Sequence, residues 1–201
     1  LTYGQTLNEL PLTAAAADSV SKEPVEGTIT WTDGTNRPDA GSYDAAWSFV
    51  PNNSVYKTVT GTTAIQVNPK AVTVTLNMTG TAKTYDGTAT LPEGAQITIA
   101  GTEGILSGDN VTAGGQLTAV YADANAGTKT IIVSGLSLSG ADSANYKLEP
   151  TAELTVEPGI TQATPQLLGS ISAGKLAAGQ PLSSISLSGS FVGAGGESVT
   201  G

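Results

Sequence analysis

Acid–base chemistry in this chain could draw on five of its 17 acidic residues. Glu93, Glu103, Asp109, Glu149 and Glu153 are the carboxyl groups a glycoside hydrolase would recruit, since that reaction needs two of them about 5–10 Å apart in a cleft. Their spacing marks no pair. The Asp109-Asn110 and Asp123-Ala124-Asn125 loops offer a few side-chain oxygens each toward calcium, fewer than the roughly six to eight ligands that ion takes. Asp and Asn as turn formers account for both segments equally well.

Aromatic residues suggest a second chemistry. Trp31 and Trp47 have the ring faces on which sugars stack, but Ile29 and Phe49 share their strand faces, so we read both as core. Tyr56 and Tyr146, each followed by Lys in an Asn-containing stretch, are the expected exposed aromatics. The chain has no cysteine and no histidine, which removes disulfides, thiol nucleophiles, Ser-His-Asp triads and thiolate or imidazole zinc sites. We therefore assign no catalytic, cofactor-binding or metal-binding residue, expect no cofactor, and expect no enzyme.

Charge narrows the partners. Eight Lys and Arg stand against 17 Asp and Glu, a formal net charge of −9, which disfavours nucleic acid and anionic membranes. The acids are scattered, so solubility is their plainest role. No run of apolar residues reaches the length of a membrane span, so no membrane insertion is expected within these residues.

The elements that must position these groups are strands. β-branched and aromatic residues alternate with small polar ones, interrupted by Gly, Asn, Asp and Pro, which is the pattern of short strands and tight turns. We place strands at residues 27–32, 41–49, 62–67, 71–76, 96–100, 115–121, 128–134, 136–138 and 152–156. Early strands of a further unit fall at 166–172 and 184–187 and around Phe191. On residues 41–49, Tyr43, Ala45, Trp47 and Phe49 share a face; on residues 71–76, Val72, Val74 and Leu76 do. Residues 12–20, with their Ala14–Ala17 run, lack a sustained apolar face and are read as a loop or at most a turn or two of helix.

Short motifs recur in order. Thr2-Tyr3-Gly4-Gln5-Thr6 is echoed by Thr84-Tyr85-Asp86-Gly87-Thr88, Asp39-Ala40-Gly41 by Asn125-Ala126-Gly127, Tyr56-Lys57 by Tyr146-Lys147, and Val67-Asn68-Pro69 by Val156-Glu157-Pro158. Residues 176–187 then match residues 1–12 without a gap. The repeats divide the chain into residues 1–69, whose opening strand is missing, residues 70–159, and residues 160–201, the start of a third unit. About seven short strands in the roughly 90 residues of the second unit predict an all-β fold of tandem antiparallel immunoglobulin-like β-sandwiches. Pro69 and Pro158 are expected to stiffen the junctions, and incomplete end units to leave sheet edges for pairing between molecules. Tyr3 and Tyr85, each before a Gly-containing turn, are expected to cover a sandwich end with the hydroxyl on a loop carbonyl.

Lys83-Thr84-Tyr85-Asp86-Gly87-Thr88, followed by Asn125-Ala126-Gly127 and Ala144-Asn145-Tyr146, resembles the YDG domain of bacterial surface proteins and haemagglutinin-like adhesins. Residues 1–6, with Trp31-Thr32-Asp33, Asp39-Ala40-Gly41-Ser42-Tyr43 and Asn53-Ser54-Val55-Tyr56, resemble the related MBG-type repeat. The resemblance implies an extracellular location on a bacterial cell surface and a role as a stalk or adhesin segment that spaces or presents a binding domain. A glycan- or host-protein-binding module is the alternative. In either case the partner is a host or cell-surface glycan or protein bound through the parent chain, and any signal peptide or wall anchor lies outside these residues. Some bacterial immunoglobulin-like stalks cross-link a strand Lys to an Asn beside an acid. Lys70 or Lys83 with Asn145 and Glu153 has those residue types, and solvated surface residues are the plainer reading.

Overall fold

Alternating β-branched residues with Gly and Asn punctuation fold as the pattern requires. The computed structural model describes residues 1–149 and 154–199, and its strands are β1 (Gly27–Trp31), β2 (Gly41–Pro51), β3 (Val59–Val67), β4 (Lys70–Thr79) and β5 (Lys83–Thr84). There follow β6 (Gln96–Glu103), β7 (Thr112–Gly114), β8 (Thr118–Tyr121), β9 (Gly127–Ser134) and β10 (Ser137–Ser139). The last are β11 (Tyr146–Leu148), β12 (Leu154–Thr161), β13 (Gln166–Ala173), β14 (Leu187–Val192) and β15 (Ser198–Val199). The fold class is all-β, as the strand pattern predicts. No helix among the described residues is long and apolar enough to cross a membrane.

Most of the predicted strands appear within a few residues of their expected ends. Residues 152 and 153 of the predicted strand 152–156 lie outside the described residues. Four short strands, β5, β7, β11 and β15, carry too few residues to show a period. Residues 12–20 form no helix; Ala17 makes an isolated antiparallel bridge to Pro24 there. At 184–187 the chain makes a 3-10 turn, Leu182–Ser184, and the strand starts only at Leu187.

Contacts group the chain into two compact units. The first comprises Leu1–Thr75, Ile99–Gly115 and Ser137–Thr151; the second comprises Leu76–Thr98, Gln116–Leu136 and Ala152–Gly201. In the first, β1, β2 and β3 form an antiparallel sheet with Trp31 opposite Trp47 and Gly41 opposite Val67. One face is inward, and Leu7, Trp31 and Ala45 form its buried core with Leu10, Leu12, Tyr43, Trp47 and Ile65 packed around them. Burying a leucine such as Leu7 contributes about 1.5–3 kcal/mol. The Trp31 indole N–H, which needs a partner once buried, donates to the Leu10 carbonyl at 2.8 Å.

In the second unit β5, β12, β9 and β8 form a sheet in that order. Its core is Tyr121, Ile131 and Ile160, flanked by Tyr85, Leu154 and Val156. The sheet β13-β14-β15 also belongs to this unit, and all of β13 is exposed. Pro158 lies inside β12, where pairing with β9 shifts register between Val156 and Ile160.

Two strand pairs depart from the antiparallel expectation. β11 runs parallel to β4 and β12 parallel to β5. Sequence neighbours joined by tight turns must pair antiparallel, but both of these pairs join segments far apart in the chain, where no turn dictates direction.

Candidate functional site

The turns that follow Tyr3 and Tyr85 each gather polar side chains. Thr2 makes a parallel bridge to Asn68, and the Tyr3 N–H donates to the Asn68 carbonyl at 2.9 Å. Thr84 pairs with Thr161 in the same parallel sense, and the Tyr85 N–H donates to the Thr161 carbonyl at 2.8 Å. Each turn thus closes on the end of a strand whose preceding residue is fully buried, Val67 in one and Ile160 in the other, both 1% exposed. Opposite those residues stand Gly41 and Gly127, with φ of +126° and +125°, a backbone region open in practice to glycine alone. The counterpart of Val67-Asn68 is therefore Ile160-Thr161. Val156-Glu157, the motif match, lies before the register shift in β12.

Around the first turn a carboxylate replaces the expected carbonyl. The Tyr3 hydroxyl donates to Asp109 Oδ2 at 2.9 Å, and the Tyr146 hydroxyl donates to the same oxygen at 2.5 Å. Tyr146 also accepts the Leu106 N–H at 2.9 Å, and the two rings meet edge to face with centroids 5.4 Å apart. Burial, and then the hydrogen bond to Asp109, push the Tyr3 hydroxyl up to about 12. The same two causes raise Tyr146, with the Leu106 N–H opposing them.

Tyr146 is thus not the exposed aromatic its sequence context predicts, being 6% exposed. It opens β11 opposite Lys70 of β4, a pairing invisible to a local reading. Tyr56 is half-buried. Asn145, beside Tyr146, is also buried. Its side-chain oxygen accepts the Ala40 N–H at 2.8 Å and its Nδ2 donates to Asp39 at 3.0 Å, which ties the Asp-Ala-Gly strand entry in place.

The second turn holds a lysine. Lys83 Nζ donates to Asp86 Oδ1 at 2.8 Å and to the Thr88 carbonyl and hydroxyl, both at 2.9 Å. It lies 5.6 Å from the centroid of the Tyr121 ring, within cation–π range. The lysine hydrogen bond, followed by those of the Thr88 N–H and hydroxyl, holds the Asp86 carboxyl down at about 2. The Lys83 side chain is 8% exposed, so it is no solvated surface residue, and Asn145 is buried as well. Each has its own set of hydrogen-bond partners; Glu153, the third member of the cross-link expectation, lies outside the described residues.

The carbonyl-seeking tyrosine of this unit is Tyr121, which the motifs do not mark. Its hydroxyl donates to the Thr81 and Gly159 carbonyls. The period of two along residues 118–121 does place it on the inner face with Ala119. Tyr85 itself packs against the Tyr121 core and lines an open crevice of about 470 Å³ with Asn125, Gln162 and Glu197.

The remaining candidates resolve individually. Trp31 is core and Trp47 packs against it. Asp123 accepts the Asn125 N–H and Lys129 Nζ, each at 2.7 Å, the work of a turn former with an ion pair. Glu149 pairs with Lys147 at 3.1 Å, while Glu93 and Glu103 are exposed. Among the described residues no group of three or more Asp, Glu, His or Cys is gathered to hold a metal ion.

Comparison with curated proteins and with solved structures gives no match. A family model does match the segment that carries β4, the Lys83–Thr88 turn, Asn125-Ala126-Gly127 and the buried Asn145-Tyr146 pair: a YDG domain is found at residues 68–153.

Proposed function

We propose that this chain is a structural and interaction region, a stalk or adhesin segment of a bacterial cell-surface protein, in which tandem immunoglobulin-like sandwiches space or present a binding domain. The sequence repeats set these units at residues 1–69, 70–159 and 160–201, and the closing strand of the second runs on through Ile160-Thr161. One observation carries the reading: the strand–turn arrangement around Tyr3, Val67 and Gly41 is built again around Tyr85, Ile160 and Gly127. Duplicated scaffolding is the mark of an array, whose product is reach. The YDG domain at residues 68–153 supports the same reading. The role assigned is mechanical, with no catalytic step.

The test is location. Antibodies raised against the chain are expected to label intact cells of its source, and labelling only after lysis would overturn the surface reading. The crevice beside Tyr85 favours a second reading, a glycan- or host-protein-binding module. A glycan array separates the two: specific binding that Asn125→Ala or Gln162→Ala abolishes supports the module, and a blank array supports the spacer.

A further inference from the structure

Tyr121 is buried in the core, and the two carbonyls its hydroxyl reaches belong to different strand approaches. Thr81 stands just ahead of β5, and Gly159 stands just ahead of Ile160 in β12, with the Gly159 contact at 3.3 Å. Directly beyond them the two strands run side by side in the same direction, Lys83 opposite Ile160 and Thr84 opposite Thr161. The Thr161 hydroxyl donates to the Lys83 carbonyl at 3.2 Å, and the Tyr85 N–H donates to the Thr161 carbonyl at 2.8 Å. Tyr121 and Ile160 are each 1% exposed, so this end of the patch is closed to water. Gly159 is backed by β9, where a Cβ at 159 would lie 2.6 Å from the Lys129 Cβ.

β5 has two residues, fewer than an ordinary strand, so its ladder alone is a weak joint. The side chains lengthen it. Direction then decides how the joint takes load. Because the strands are parallel, a pull on the chain ahead of Lys83 against the chain beyond Thr161 slides one strand along the other. Every bond across the patch is loaded at once. Drawn apart from a shared end, the same bonds open one after another.

We propose that β5 and the end of β12 form a load-bearing clamp, with Tyr121 as the pin that fastens its leading end. Tyr121 stands on β8, a third strand. Sliding β12 past β5 must therefore strip Gly159 or Thr81 from a hydroxyl held in the core. Burial makes that bond slow to break, because no water stands ready to replace the lost partner. Lys83 extends the lock past β5 by tying Asp86 and Thr88 to the strand, so the turn does not run out under load. The clamp lies within one compact unit and is a property of the fold; it does not rest on a cell-surface location.

The chain lacks cysteine, so two introduced thiols define where a pull is applied. With handles at Thr79→Cys and Thr164→Cys the clamp is loaded along its strands. With handles at Glu93→Cys and Thr164→Cys it is peeled from the end that Thr161 occupies. All three positions are exposed. In single-molecule force spectroscopy the first pair is expected to yield at a force at least about twofold above the second, since forced opening follows the unfolding barrier; equal forces overturn the clamp. Tyr121→Phe is expected to lower the first force and leave the second unchanged, because a peel starts at Thr161 and reaches Tyr121 last. Losses of the same size in both geometries mark Tyr121 as core filling and overturn its role as the pin. Where circular dichroism shows Tyr121→Phe to be unfolded, the two geometries with Tyr121 in place decide.

Discussion

Asp109 Oδ2 takes two tyrosine hydroxyls at once, from Tyr3 and Tyr146. Hydrogen bonds to a charged acceptor contribute about 1.5–3 kcal/mol, so Tyr3→Phe is expected to lower unfolding free energy by an amount in that range. Tyr146→Phe removes a bond to the same oxygen and also leaves the Leu106 N–H without its acceptor, so it is expected to cost more. Urea melts of the two variants check the order, and a smaller loss for Tyr146→Phe would refute it. Asp109 reads from sequence as a turn former because nothing local reveals tyrosines arriving from positions 3 and 146. Lys83 reads from sequence as solvated surface and is not, although its hydrogen-bond partners Asp86 and Thr88 lie within the same motif.

Strands were legible where alternation is long enough to count. β2 and β4 bury the faces their patterns predict, with Ala45 and Phe49 on one and Val72, Val74 and Leu76 on the other. β11 has three residues and a parallel partner far back in the chain, so no local period announces it. Turns follow a similar rule, in which contact decides more than type. Gly87 has φ of +82°, and a Cβ there would lie 2.8 Å from the Gly195 Cα; Gly94 has φ of +85° with open space around it. Gly→Ala at either position carries the cost of a left-handed alanine, roughly 1–2 kcal/mol. Gly87→Ala is expected to lose more, because backbone must also move, and thermal melts showing equal losses would refute the contact. In β3, Gly61 lies under the Trp47 ring. Gly61→Val is expected to cost about 1–3 kcal/mol despite its better strand propensity and to shift tryptophan fluorescence to longer wavelength.

Stability is bounded by carboxyl groups on the acid side and by tyrosines on the alkaline side. Asp86 is lowered from an ordinary 3.8 to about 2, and Asp123, Asp18 and Glu9 are lowered too. A depressed carboxyl stabilises the fold above its unfolded value, so this contribution is present at neutral pH and is lost as pH falls from about 4 toward 2. The tyrosines work in reverse. Tyr3 is raised from 10.0 to about 12 and Tyr146 and Tyr121 are raised with it, so their stabilisation is full below 10 and is lost as pH rises through 10 toward 12. Melting temperature is expected to be flat between about pH 5 and 9 and to fall on either side. Tyr3→Phe is expected to flatten the alkaline limb, and an unchanged limb would argue against the assignment. The interleaved path of the chain through its two units has a mechanical consequence. A pull on the two ends that opens the second unit while the first stays intact frees only the chain beyond residue 151, because residues 76–98 and 116–136 remain closed loops held at both ends by the first. The chain under tension therefore yields less length than the residues it unfolds.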